Sequence, residues 1–282
     1  MRMLLALAVL LASACTTIDR TTLTAAADSA AAAAGPAIVL APAVEFPDTP
    51  FGREARRGLA ILNATKDSLG DHVGNGLRCT SCHLDDGRRQ FAMTWVGVTA
   101  RYPQFRTRAA AVLTIEDRIH ECIERSLAGR RLPAEDERVR AMLAYYALLS
   151  AEVPVGSRVP GQGVDSAHAG LPADATRGTV IYQTECARCH GADGAGTALG
   201  TPLWGDGAYT IAAGMARVGM AAAFIKHNMP FDRPGTLTDQ AALDVAAYIN
   251  AQGRPDYPGK ENDWPKGGAP PDVPFVLKSG TR

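Results

Sequence analysis

Five stretches of the chain have the pattern of apolar and polar positions that is typical of helices. In the first, Ala55, Leu59 and Leu62 form one apolar stripe of a helix predicted over residues 53–68. Further helices are predicted over residues 115–128, 135–150, 174–184 and 239–251. Thr238 is predicted to cap the last of these helices. Because every clearly periodic element is helical, the pattern predicts an all-α protein.

The predicted helices fall into two groups, which a segment rich in proline and glycine separates. The length of 282 residues is sufficient for two domains of ordinary size. The predicted order is an export signal at 1–14, an Ala- and Pro-rich tether at 15–50, a first domain at 51–152, a linker at 153–172, a second domain at 173–253 and an extended tail at 254–282.

Composition and charge narrow the class of protein. The 29 basic and 29 acidic residues cancel, so we expect no nucleic-acid partner. The hydrophobic fraction of 46% permits packed cores in both domains.

The first residues have the pattern of an export signal. Arg2 supplies a positive start, and the apolar run from Leu4 to Leu11 is too short to span a bilayer. Two processing routes are compatible with the residues after this run. Signal cleavage after Ala14 is one, and lipidation of Cys15 as a membrane anchor is the other. Either route predicts a periplasmic protein.

Two copies of the pattern Cys-x-x-Cys-His are the strongest chemical signal. They are Cys79-Thr80-Ser81-Cys82-His83 and Cys186-Ala187-Arg188-Cys189-His190. In this pattern both thiols attach covalently to a haem, and the histidine binds one face of its iron. Zinc sites or disulfides are the alternatives, but the sequence lacks the paired ligand sets that zinc needs. The sequence therefore predicts two covalently bound haem c groups, one in each of two cytochrome c-type domains.

Matching distances indicate an internal duplication and nominate the second ligand of each iron. The two motifs begin 107 residues apart. Cys122 follows His83 by 39 residues, and Met229 follows His190 by 39 residues. We therefore expect His83 and Cys122 to bind the first iron, and His190 and Met229 the second. Rivals for the methionine are Met215, Met220 and His227.

Cys122 is predicted to lie on a helix with polar groups beside it. Thr114 and Asp117 form a capping box for a helix that would end at Gly129. Arg118, Arg125 and Ser126 are placed three or four residues from Cys122, on one helical face. Neighbouring arginines favour a thiolate, which is a strong electron donor to iron. The alternative is a buried, inert cysteine.

Positive charge is concentrated around this cysteine. Seven arginines lie between Arg101 and Arg131, against four acids. Arginine forks bind tetrahedral oxyanions in a bidentate manner. We expect Arg108, Arg118 and Arg125 to face an anionic substrate, and Arg130 and Arg131 to be solvated surface charge.

At this point the sequence resembles the thiosulfate dehydrogenase family of dihaem cytochromes c, whose first domain resembles the sulfur-oxidation haem protein SoxA. The resemblance covers about residues 50–255, and its most specific block surrounds Cys122. Its residues include 77–84, Val96-Gly97, 100–104, 116–118 and 121–126 in the first domain, and Trp204-Gly205, Gly214-Met215, 223–226, 228–230 and 244–249 in the second.

The resemblance implies oxidation of two thiosulfates to tetrathionate at a haem bound by Cys122, with Arg108, Arg118 and Ser126 in the substrate site. The second haem would pass electrons to an external acceptor such as a small cytochrome c. Some members have a lysine where this chain has Asn228, and exchange it with the methionine; here we expect His190 and Met229 in both oxidation states. Some members favour tetrathionate reduction, so both directions remain open. The alternatives are a non-catalytic electron-transfer cytochrome and a SoxA-like subunit that couples thiosulfate to a carrier protein.

Overall fold

A computed structural model describes residue 41 and residues 43–163 and 170–278. The predicted export signal, Cys15, nearly all of the tether up to residue 40 and part of the linker lie outside the described residues. Within the described part, none of the helices is both long and apolar enough to cross a membrane.

The described chain is mostly helical. Its helices are α1 (Pro50–Asn63), α2 (Thr65–Leu69), α3 (Leu84–Gly87), α4 (Ile115–Arg125), α5 (Glu137–Leu149), α6 (Ala175–Ile181), α7 (Ala187–His190), α8 (Val218–Asn228) and α9 (Asp239–Asn250). Short 3₁₀ turns lie at Gly70–His72, Cys79–Ser81, Gly214–Ala216 and Lys260–Asn262, and a π-helical turn covers Tyr182–Cys186. The strands are β1 (Gln104–Arg106) and β2 (Ala111–Leu113).

The crossing of α1 and α5 forms the core of the first domain. Leu62 and Met142 are fully buried between these helices. Gly58 lets the two backbones approach closely, because a Cβ there would lie 2.0 Å from the carbonyl oxygen of Ala141. The crossing therefore depends on the absence of a side chain at Gly58.

The second domain repeats this arrangement with α6 and α9. A Cβ on Gly178 would lie 2.1 Å from the carbonyl oxygen of Asp244, so the same kind of close crossing recurs. Tyr182 is fully buried beside α9, and its ring packs 4.9 Å from that of Trp204. The two halves thus share one way of joining the helix before the haem motif to the closing helix.

The predicted helices are present, with changed ends. The helix predicted over 53–68 starts at Pro50 and breaks at Ala64, whose backbone is not helical. The helices predicted over 135–150 and 239–251 are α5 and α9, with bounds that differ by at most two residues at either end. The helix predicted over 174–184 is α-helical only from Ala175 to Ile181, and then widens into the π-helical turn.

The helix predicted to end at Gly129 ends at Arg125. Beyond it the amide of Gly129 donates to the carbonyl of Ile123, and Ala128 has a left-handed backbone with φ of 49°. This turn satisfies a free carbonyl of the last helical turn, so the chain leaves the helix earlier than the position of the glycine indicates.

A short antiparallel hairpin was not predicted. Strands β1 and β2 pair Phe105 with Val112, and both of these side chains are exposed. The hairpin turn carries Arg108 towards the second half of the chain, where its side chain donates a hydrogen bond to the carbonyl of Ala212.

The tail does not lie only on the surface. Trp264, Phe275 and Leu277 are buried and pack around Ala212. The amide of Trp264 donates to the carbonyl of Arg108 at 2.8 Å, so the tail also contacts the first domain. The described part of the tail is therefore part of the structure that surrounds Arg108.

Candidate active site at the first haem motif

The first motif is held by its neighbours in a fixed backbone conformation. The amide of Cys79 donates to the hydroxyl of Thr65, which is fully buried, at 3.0 Å. Burial raises the pKa of the Cys79 thiol to about 11 and that of the Cys82 thiol to about 12. The charge of Cys122 also raises both values, so the three sulfur-bearing side chains lie near one another.

His83 has the protonation state that an iron ligand requires. Its Nδ1 lies 2.6 Å from the carbonyl oxygen of Met93. A carbonyl only accepts, so Nδ1 carries the proton and Nε2 keeps a free lone pair. Burial lowers the pKa of His83 to about 4, which keeps the ring neutral. The ring of Trp95 stacks on it at 4.7 Å and fixes its orientation.

The second motif repeats this geometry. Nδ1 of His190 lies 2.7 Å from the carbonyl oxygen of Thr201, and burial lowers the pKa of the ring. Burial raises the pKa of Cys186 to about 12. All five cysteines in the described residues are free thiols, and no cluster of three or more His, Cys, Asp or Glu side chains there is arranged for a bare metal ion. The donor sets at both motifs therefore fit haem c.

Cys122 lies on α4, which the predicted capping box starts. The hydroxyl of Thr114 accepts from the amide of Asp117 at 3.2 Å, and a carboxylate oxygen of Asp117 accepts in return from the amide of Thr114 at 3.1 Å. The Cys122 side chain is partly buried. Its charge is the largest influence that raises the pKa of Arg118, ahead of the charge of Glu121. The structure thus brings Cys122, Arg118 and the first motif together, as the spacing predicts.

Arg108 reaches the same region from the hairpin. Its Nη1 donates to the carbonyl of Ala212 at 2.8 Å, and its guanidinium lies 4.5 Å from the ring centre of Trp264. Burial is the main cause that lowers the pKa of Arg108 to about 10. The charge of Asp263 raises this pKa, and the charges of neighbouring arginines, Arg125 first, lower it further. Arg108 is therefore a largely buried cation whose acidic neighbour, Asp263, lies 3.9 Å from its Nε, beyond hydrogen-bonding distance.

Arg125 has a partner that the sequence did not indicate. Both of its terminal nitrogens donate to the carboxylate of Asp263 at 2.8 Å. Its guanidinium also lies 4.5 Å from the ring centre of Tyr257. The fork of Arg125 is thus occupied by a tail residue, and its predicted role towards the substrate stays a prediction.

Ser126 directly follows α4 and closes it. Its amide donates to the carbonyl of Cys122 at 2.8 Å, and its own carbonyl accepts from the side chain of Asn75 at 3.0 Å. Asn75 also donates to the carbonyl of Ala208 in the second half of the chain. The position of Ser126 relative to Cys122 is therefore fixed, while its role in binding substrate stays a prediction.

Met229 follows α8 directly. Its amide donates to the carbonyl of Ile225, and its side chain packs against the core of the second domain. The preceding Asn228 is fully buried, and its side-chain amide donates to the carbonyl of Phe91 in the first domain at 3.1 Å. Met215 packs against the same core, so the choice between the two methionines as ligand stays a prediction.

Comparison with known families agrees with this geometry. Residues 71–155 match the model described as the SoxA/TsdA cytochrome c domain. Residues 173–249 match the model described as cytochrome c oxidase, cbb3-type, subunit III. Two c-type haem domains in tandem define a dihaem cytochrome c, and two covalently bound haem c groups belong to this protein.

Similar proteins of known function identify the family within the dihaem cytochromes c. A thiosulfate dehydrogenase of Psychrobacter arcticus is 39% identical over 81% of this chain and 72% of its own length. One from Allochromatium vinosum is 40% identical over 78% of this chain and 85% of its own length. This chain belongs to the thiosulfate dehydrogenase family. A solved structure of thiosulfate dehydrogenase (TsdBA) from Marichromatium purpuratum has a TM-score of 0.73 and 35% identity over 78% of this chain, which spans half of that longer chain.

Proposed function

We propose that this chain oxidises two thiosulfates to one tetrathionate at the first haem motif. The observation that carries the proposal is the position of Cys122 on α4, one helical turn from Arg118 and near enough to the motif cysteines for its charge to raise their pKa values. Arg108 adds a second, largely buried cation to the same region. The names of the curated relatives, which are all thiosulfate dehydrogenases, support the substrate.

The reaction joins two dianions, so charge is its main obstacle. Two thiosulfates combine through their terminal sulfurs, and tetrathionate and two electrons are released. The two haem groups, when bound at Cys79–His83 and Cys186–His190, would supply two one-electron acceptors, enough for the two electrons of one turnover. Arg108 and Arg118 offset the repulsion between the two dianions as their sulfurs approach.

Cys122 acts as the sulfur that holds the first substrate. Its thiolate joins the terminal sulfur of one thiosulfate, forming a Cys–S–S–SO₃⁻ adduct as two electrons leave. The terminal sulfur of a second thiosulfate then attacks the outer sulfur of the disulfide link, which forms the central bond of tetrathionate and returns the Cys122 thiolate. Atoms and charge balance in both steps, and the reverse sequence reduces tetrathionate.

The second domain serves as the electron exit. We assign His190 and Met229 to its iron, and a small external cytochrome c as the acceptor. His/Met ligation of the second haem and His/Cys ligation of the first would give the second the higher potential, which would favour electron flow away from the substrate. The N-terminal sequence supports export to the periplasm, with Cys15 as a candidate lipid anchor.

The test uses the full haem-loaded protein and Cys122→Gly. With an artificial electron acceptor, we expect the wild type to form one tetrathionate from every two thiosulfates. Cys122→Gly should lose at least ~100-fold of this rate, because a covalently acting residue is removed. Haem content and far-UV circular dichroism should be unchanged.

Glu116→Gln, on the exposed face of the same helix, is the matched control and should behave as the wild type. If the wild type turns over neither thiosulfate nor tetrathionate, the proposal is wrong and a carrier-dependent or purely electron-transferring role replaces it. Full activity in Cys122→Gly would refute the role of the cysteine.

A further inference from the structure

The tail presents one buried acid to the arginines of the site. Asp263 is only 4% exposed. Its carboxylate accepts two hydrogen bonds of 2.8 Å from Arg125 and lies 3.9 Å from Nε of Arg108. A buried carboxylate is costly to maintain unless it is paired and hydrogen-bonded, so this position is held by the two arginines.

The next residue holds Arg108 itself. The amide of Trp264 donates to the carbonyl of Arg108, and its ring lies against the guanidinium at 4.5 Å. Trp264 is 3% exposed and packs against Phe275 and Ala212. We refer to Asp263 and Trp264 together as the tail clasp, because they bind both the backbone and the side chain of Arg108.

The charges around the clasp are unequal. Besides burial, three arginines, namely Arg125, Arg217 and Arg118, lower the pKa of Arg108 through their charges. The tail supplies two acids against them, Asp263 on Arg125 and Asp272 at 3.7 Å from Arg217. Asp263 is shared unequally: it accepts two hydrogen bonds of 2.8 Å from Arg125, whereas it lies 3.9 Å from Nε of Arg108, beyond hydrogen-bonding distance. The clasp thus neutralises Arg125 more fully than Arg108, and Arg108 keeps more of its charge for an anion.

We propose that Asp263 is a positioning residue that keeps Arg125 away from the substrate and holds Arg108 towards it. The inference rests on the proposed function. A site that must bind two dianions and release one cannot carry a large excess of positive charge, since that excess would retain tetrathionate. Asp263 therefore limits the positive charge of the site, and it leaves Arg108 rather than Arg125 as the arginine that binds the substrate.

The test compares kcat and KM for thiosulfate with product inhibition by tetrathionate. Asp263→Asn removes the carboxylate charge and frees the fork of Arg125. We expect KM and the inhibition constant of tetrathionate to fall, because one more cation is available to any dianion. We also expect kcat to fall at least ~10-fold, because Arg108 loses its fixed orientation and the product leaves more slowly.

Two variants make the result specific. Asp263→Glu keeps the charge on a longer side chain. KM and product inhibition should therefore stay at wild-type values, and kcat should lie between those of the wild type and Asp263→Asn. Asp256→Asn removes the same charge from an exposed tail position, where the carboxylate pairs with Lys260 and accepts from the amide of Tyr257, and it should behave as the wild type. Haem content and circular dichroism confirm that each variant is folded.

The outcomes separate the two proposals. If the wild type has no activity, the proposed function fails. If the wild type is active and Asp263→Asn shares its kcat, KM and product inhibition, the positioning role fails. A loss of kcat with a raised KM and unchanged inhibition would also overturn it, since that pattern indicates only a weakened fold. If Asp263→Asn does not accumulate with both haems, Asp263→Glu decides, and an unchanged kcat there refutes the role.

Discussion

Replacing Gly58 by alanine is predicted to destabilise the protein, although a glycine-to-alanine change within a helix usually stabilises it. In the interior of a helix, replacing glycine by alanine stabilises by about 1 kcal/mol through helix propensity. Gly58 lies within α1, so propensity alone predicts a more stable protein. The structure predicts the opposite, because the new Cβ would lie 2.0 Å from the carbonyl oxygen of Ala141 in α5.

The magnitude follows from the distance. Cβ atoms in folded proteins keep about 3 Å or more from an oxygen atom, so α1 and α5 must separate by about 1 Å. A gap of that size forfeits roughly a quarter to a half of each dispersion contact across it. The fully buried Leu62 and Met142 lie at this crossing. With overpacking at about 3 kcal/mol and the propensity gain of about 1 kcal/mol, the net loss is about 2 kcal/mol.

Denaturant unfolding of the haem-loaded protein measures the change, with far-UV circular dichroism and haem absorbance followed in parallel. Ala60→Gly is the matched control, because Ala60 is exposed on the same helix. It should destabilise by about 1 kcal/mol through propensity alone. A Gly58→Ala protein that is as stable as the wild type, or more stable, would refute the close crossing of the two helices.

Three further predictions concern the cap, the pH dependence and the site. Thr114→Ala removes the side-chain cap of α4 and should lower the free energy of unfolding by about 1 kcal/mol in the same assay. The hydrogen-bonded fork of Arg138 lowers the pKa of Asp136 to about 2, below its unfolded value of about 4, so this pair stabilises above pH 4 and the contribution is lost as the pH falls towards 2. Asp136→Asn should thus be about 1 to 2 kcal/mol less stable at pH 7, and unfolding at both pH values should show the difference vanish near pH 2. Arg118→Gln should raise KM for thiosulfate about 10-fold in steady-state kinetics, whereas Arg130→Gln, at an exposed arginine, should leave it unchanged.

Apolar periodicity and capping residues in the sequence predicted most of the described helices. Thr238 caps α9 through the amide of Ala241, as its residue type predicts, and the helix ends one residue earlier than expected. The end of α4 depends on the bond between Gly129 and Ile123, which no periodic pattern encodes. Strands β1 and β2 have three residues each, too few to show an alternating pattern.

The candidate site also has one part that the sequence predicts and one part that it does not. Arg118 and Cys122 are four residues apart on one helix, so helical geometry alone brings them together. The pairing of Arg125 with Asp263 joins residues 138 positions apart. An acid in a proline-rich tail has no periodicity that would mark it, so only the folded chain reveals what it neutralises.

A difference between the two halves of the chain supports placing the proposed substrate chemistry in the first of them. His83 and His190 make the same Nδ1 contact to a carbonyl, so each half prepares one face of its iron alike. They differ in the helix that leads to the predicted second ligand, which is α4 for Cys122 and α8 for Met229. Helix α8 before Met229 buries a continuous run of five residues, Ala221 to Ile225. Helix α4 buries only three of its residues and presents Arg118 beside the cysteine. Helix α4 thus carries charge where α8 is packed with apolar residues, and this difference supports the proposal that the anionic substrate binds at the first motif.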